Sequence, residues 1–101
     1  MVFTKRLREG IRCGRIRCSV RVWMNPRVKA GGRYRMDEGH IVVDSIERIT
    51  LKDVTYDLAR ESGFESVKDL LQIARHGRGT KIFLIRFHYL RPGAWDIPRR
   101  T

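Results

Sequence analysis

Residues 13–21 read CGRIRCSVR, with a cation at nearly every second position. Successive side chains of a β-strand point to opposite faces. Read that way, Arg15, Arg17, Ser19 and Arg21 share one face, while Ile16, Cys18, Val20 and Val22 share the other. The second set is built to be buried. The first is a row of guanidinium groups around a single hydroxyl. The pattern predicts a strand over about 16–22 whose polar face meets either solvent or something negative.

On the N-terminal side, Phe3, Leu7 and Ile11 recur at helical spacing, which predicts a helix over 2–12 that stops at Gly14. On the other side, residues 23–32 read as a loop punctuated by Pro26 and the Gly31–Gly32 pair. A strand near 33–36 turns at Asp37-Glu38-Gly39 into a longer strand over 40–49, forming a hairpin. Two helices follow. Thr50 or Asp53 caps the first, which Gly63 ends; Ser66 and Asp69 open the second, which Gly77 closes. TKIFLIRFHYL, residues 80–90, is the strongest strand signal in the chain. Residues 91–101 read as an extended basic tail. The order is helix, strands, two helices, strand. It predicts one α+β domain with a small, mostly antiparallel sheet that curls into a β-barrel, its core over about 3–90.

The chain has 101 residues, 42% of them hydrophobic, a composition for a folded domain rather than a disordered one. No apolar run approaches the roughly 20 residues a membrane helix needs, and the first ten residues lack the apolar block of a secretory signal. A cytoplasmic location is the expectation. Cys13 and Cys18 are expected reduced and mostly buried. No metal and no cofactor is expected, because His40, His76 and His88 show no ligand spacing with the two cysteines.

The net charge of +11 is unevenly spread. Residues 1–35 hold eleven Lys/Arg against one Glu, and residues 74–101 seven against one Asp, but residues 36–73 hold four against nine acidic groups. One positive surface is expected, and nucleic acid is the commonest partner for such a surface. Arginine far outnumbers lysine, which suits bidentate phosphate contacts. The alternative is a merely solvated charged face.

Candidate contacts follow from position. Arg15, Arg17 and Arg21 can track a phosphodiester backbone, with Ser19 among them to orient a base or a sugar. Arg78, within RHGRG at 75–79, sits beside glycines whose amides can approach an anion; a plain helix cap is the alternative. Arg86 and His88 make one face of the last strand polar toward its end. Trp95, among Arg91, Arg99 and Arg100, either stacks on bases or folds back on the sheet.

Gly14-Arg15-x-Arg17-x-Ser19-x-Arg21 after an amphipathic helix resembles the first signature of ASCH domains, small PUA-like barrels related to RNA-modification modules. VTYDLARESGFESVKDLL, residues 54–71, resembles their second signature, and IFLIRFHYL their closing strand. The resemblance covers about residues 3–90. It implies a PUA-like fold and nucleic-acid binding. It also brings an alternative, since some members are ribonucleases and the smallest resemble amidohydrolases of N4-acetylcytidine. Those are thought to use a lysine, a threonine and a glutamate together. Here the corresponding places hold Ile16, Ser19 and Ser62, with Glu61 one residue earlier.

The expected function is therefore an RNA-binding module, with DNA second, that uses Arg15, Arg17, Ser19, Arg21, Arg78, Arg86 and His88. One alternative is a hydrolase with a rearranged site on Ser19 and Glu61, assisted by His88 or Lys81. Another is a basic module that docks an acidic protein. The ligand pocket is expected between the first strand and the connection joining the two helices.

Overall fold

A computed structural model describes residues 3–74 and 79–92. The expectations for Arg78, Gly77 and Trp95 lie outside the described residues. Helix α1 (Lys5–Arg12) is followed by β1 (Cys18–Trp23), β2 (Arg33–Met36) and β3 (Gly39–Ile49). A 3-10 turn (Leu51–Asp53), α2 (Tyr56–Glu61), α3 (Val67–Ala74) and β4 (Lys81–Leu90) complete the order. Among the described residues the strands form one antiparallel sheet, ordered β1-β4-β3-β2. It curls into a half-barrel rather than a closed one, so the class is α+β as expected.

β4 lies between β1 and β3, which accounts for its apolar sequence. Its pairing places Phe83, Ile85 and Phe87 opposite Arg21, Ser19 and Val43. α1 rests on this side of the sheet, where the Phe3 and Phe87 rings meet at 5.5 Å. α3 lies along β1.

α1 and α2 end in the same way. α1 stops at Cys13 with Gly14 at φ +83°, and α2 stops at Ser62 with Gly63 at φ +96°. That left-handed conformation is cheap for glycine and strained for other residues. Arg15 N–H donates to Gly10 O at 2.8 Å and Gly14 N–H to Ile11 O at 3.1 Å. Phe64 N–H donates to Ala59 O at 2.8 Å and Gly63 N–H to Arg60 O at 3.0 Å. Each end is a Schellman motif that satisfies the last carbonyls of its helix.

The side chain of Ile16 fills the space where the two ends converge. A Cβ at Gly10 would lie 2.6 Å from its Cδ1, and one at Gly63 would lie 2.7 Å from the same atom. Ile16 is fully part of the core. Its buried place in the alternation is as expected.

Several boundaries differ from the sequence expectation. β1 begins at Cys18, so Arg15 and Arg17 precede the strand rather than lying on it. Thr50 and Asp53 cap the 3-10 turn: Asp53 accepts from the Thr50 backbone at 2.9 Å. Thr55 caps α2, its hydroxyl accepting from Leu58 N–H at 3.2 Å. Ser66 caps α3 as expected, accepting from Asp69 N–H at 3.0 Å. At the hairpin turn, expected over Asp37-Glu38-Gly39, Asp37 takes a positive φ of 54°. Gly39 is instead the first residue of β3, paired with Met36.

Gly63→Ala forces a left-handed alanine and drives its methyl into Leu7 and Ile16. The expected loss is at least about 1–2 kcal/mol, read as a lowered urea midpoint with an unchanged slope.

Candidate nucleic-acid interface

β1 is buried on both of its faces. Ser19 and Trp23, on the side expected to be polar, are as enclosed as Cys18, Val20 and Val22. This corrects the reading of that side as an open ladder of cations. Alternation separates two faces of a strand, but it cannot tell that helices cover both.

Under α1 and α3, that side of β1 borders a cavity of about 570 Å³. Its walls are Phe3, which precedes α1, Leu7 from α1, Trp23 from β1, Val28 from the following loop, and Phe64 from the helix connection. It lies between the first strand, the N-terminal helix and the α2–α3 segment. The polar groups of the cavity come mainly from Ser19, Arg21 and Arg27.

Arg21 stacks over the Phe3 ring, with its guanidinium carbon 4.9 Å from the ring centroid. Its Nε donates to Ser19 Oγ at 2.8 Å. Burial pushes the guanidinium down from its usual value to about 10, so it still carries its charge at neutral pH. Arg27 is exposed, on a loop held in place by Gly31 N–H donating to Val43 O at 2.7 Å and by the buried side chain of Val28. The sequence reading missed Arg27. A loop residue has no periodicity to mark it, and the only available signal was its place between Pro26 and an apolar residue.

One wall is tied down by charge. Arg6 on α1 bonds Asp69 on α3 at 2.6 Å and lies over the Phe64 ring at 5.2 Å. The hydrogen bond from Arg6 holds the Asp69 carboxyl below its usual range. A depressed carboxylate gives support that is present above its unfolded value and is lost only as the pH falls through the lowered one. The tie between α1 and α3 is therefore intact at neutral pH.

Arg15 and Arg17 are exposed at the start of β1. Arg15 bonds the Cys13 sulfur at 3.8 Å and Arg17 Nε the Gly14 carbonyl at 3.2 Å. Neither has a carboxylate partner among the described residues. Phe87 N–H donates to Arg17 O at 2.9 Å, which extends the sheet pairing by one residue. Arg17 thus sits one pleat repeat, roughly 7 Å, from Ser19 and the cavity.

The remaining expected residues are placed elsewhere. Arg86 is exposed on the opposite side of the sheet, paired with Cys18 and Ser45. His88 bonds Asp44 at 3.0 Å and borders a second, smaller cavity of about 200 Å³ together with Arg12 and Arg17. The bond depends on a β-bulge: the register shifts between Val43 and Ser45, leaving Asp44 as the extra residue and turning its carboxylate toward β4. Glu61 lies at the exposed end of α2, near Cys18 rather than Ser19. Ser19 is thus not brought together with Glu61 or His88, and its hydroxyl bonds Arg21 instead. Lys81 pairs with Trp23 at the far end of β1.

Compared with known protein families, curated proteins and solved structures, the chain finds no match in any of the three.

The two thiols differ. Cys13 is exposed, which corrects the expectation of a mostly buried residue, while Cys18 is buried as expected. Burial, with the Glu61 charge adding to it, pushes the Cys18 thiol up to about 11. Only the thiolate is an effective nucleophile. Iodoacetamide at pH 8 is expected to label Cys13 in the folded protein and Cys18 only after denaturation, as mass spectrometry of the peptides would show.

Proposed function

We propose that the chain is an RNA-binding module of the PUA-like, ASCH type. In this reading one unstacked base enters the cavity while Arg15 and Arg17 hold the adjoining phosphates. The observation that carries it is the cavity itself. Aromatic and aliphatic walls suit the faces of a base, and among the described residues the only charged side chains lining it are arginines. Single-stranded RNA is commonly read in this way, with bases splayed out, placed against aromatic or guanidinium planes and hydrogen-bonded at their edges. A volume of about 570 Å³ lies within the range of small-ligand sites.

The two exposed arginines extend the site outward. They lie on the chain just before the strand that forms the cavity floor, and a guanidinium suits a phosphate geometrically. The order of helix, strand, hairpin, helix pair and strand fits the ASCH resemblance. The hydrolase alternative gains less. Its serine lines the cavity, but among the described residues that hydroxyl has a guanidinium for a partner, and a guanidinium cannot accept a proton.

Binding of a short single-stranded RNA, measured against salt by fluorescence anisotropy, is expected to weaken steeply as salt rises. The Arg15→Ala/Arg17→Ala double variant is expected to flatten the slope by roughly 0.7 for each lost phosphate contact. A flat wild-type slope would refute the reading and favour an acidic protein as partner. Arg21→Met keeps the length of the side chain over Phe3 and removes a charge that burial disfavours. RNA affinity is expected to fall at temperatures well below the variant's melting point. A protein that needs Arg21 only as a scaffold would melt lower and bind RNA unchanged.

A further inference from the structure

We infer that the smaller cavity, of about 200 Å³, holds a phosphate monoester, the group carried at the end of an RNA strand or on a free nucleotide. The site stands on its own lining. It joins the RNA reading through Arg17, which that reading sets against a phosphate.

The cavity lies at the C-terminal end of α1. Arg12 and Cys13 border it at the helix end, Arg17 just before β1, His88 on β4 and Arg91 just after it. Ile11 and Ile16, both core residues, supply its apolar part. Sites for whole small molecules run to roughly 300–1,000 Å³, so this one has room for a single compact group. Its charged lining is Arg12, Arg17 and Arg91, and no aspartate or glutamate lines it among the described residues.

Two of these guanidiniums are positioned by acceptors. Arg17 Nε donates to Gly14 O at 3.2 Å, and a Cβ on Gly14 would lie 3.9 Å from Arg17 Nη2. The guanidinium thus lies along the Cys13–Gly14 turn, which itself borders the cavity. That bond uses one of five N–H donors and leaves the terminal fork unused among the described residues. Arg12 is held by Asp37, which stands outside the lining. The C-terminal end of a helix by itself disfavours an anion. Here the last carbonyls of α1 already accept from the amides of Cys13, Gly14 and Arg15, and Arg17 takes Gly14 O. The cations therefore outweigh the helix end.

A phosphate monoester carries about −1.5 to −2 at neutral pH and presents three acceptor oxygens. That matches Arg17 and Arg91, the two cations of the lining without a carboxylate partner among the described residues. A carboxylate brings one charge and two oxygens, and would leave one cation uncompensated. A phosphate inside a chain also brings one charge, and its chain must leave the site on two sides. A terminal phosphate needs one exit, which suits a hollow with room for one compact group.

The test follows the amide resonances of Gly14 and Arg17 in the full chain as sodium phosphate replaces sodium chloride at constant ionic strength. Both are expected to shift and saturate. In parallel, anisotropy compares UUUUU carrying a 5′-phosphate, a 3′-phosphate or hydroxyl ends. One phosphorylated form is expected to bind about tenfold tighter than the hydroxyl form, the effect of one charge-assisted bond. Arg91→Ala is expected to erase both effects, and Arg35→Ala, an exposed cation bordering neither cavity, to leave them. Saturating shifts with equal affinity for the three oligonucleotides assign the site to free phosphate or a mononucleotide. Saturating shifts without any RNA binding keep the site and overturn the RNA reading. Equal affinity with no shift overturns the inference and leaves the RNA reading standing. Equal losses in Arg91→Ala and Arg35→Ala overturn it in favour of net charge.

Discussion

The molecule depends on the packing of Ile16 against two helix ends. α1 and α2 each finish in a glycine-terminated turn, and Ile16 Cδ1 occupies the space between Gly10 and Gly63. This contact fixes the start of β1 relative to both helices. It also sets where the residues after it fall, because side chains alternate from that point: Ser19 and Arg21 turn beneath α1, and Cys18 and Val20 turn the other way. The cavity is a consequence. Its floor is the strand that Ile16 anchors, its roof is α1, and Phe64 follows directly on the glycine that Ile16 touches. A lysine at this position would have to bury an ammonium group between two backbones, which is unfavourable without a partner. The apolar side chain found here makes this place part of the scaffold.

Much of the architecture was legible in the sequence because it rests on local signals. Phe3, Leu7 and Ile11 mark α1 by their period, Gly14 and Gly63 mark helix ends by their conformational freedom, and the isoleucine-rich run marks β4 as an inner strand. What escaped is whatever depends on distant parts of the chain. The polar face of β1 reads as solvated until α1 is known to lie over it. Arg21 has the sequence context of a surface cation, and the Phe3 ring, eighteen positions away, helps to cover it. The bulge at Asp44 leaves no local mark, since it is a property of pairing with β4. The resemblance alone pairs Glu61 with Ser19; consecutive residues Cys18 and Ser19 face opposite ways, and the Glu61 charge acts on the first of them.

The cavity is costly for so small a protein. A chain of 101 residues has a limited core, and here part of it is left open beside a partly desolvated guanidinium. Packing alone would favour a larger apolar side chain at position 21 and a closed interior. Sites built for a ligand commonly carry such local inconsistencies, since the groups that are poorly solvated in the empty protein gain most when a partner arrives. Stacking on Phe3 and the bond to Ser19 hold Arg21 in one orientation, which lowers the entropy lost when a ligand meets it.

The distribution of acidic residues completes the picture. The excess of negative charge in residues 36–73 is spent on particular cations. Asp37 takes Arg8 and Arg12, and Asp69 takes Arg6. Arginines of α1 are thereby turned into ties that bind the helix to the hairpin turn and to α3. No carboxylate among the described residues pairs with the exposed Arg15, Arg17 or Arg27. A positive charge of +11 on the whole chain therefore says less than its division. One share of the cations holds α1 in place over the cavity. The other share, left without internal neutralisation, sets the field that an anionic chain would meet on approach.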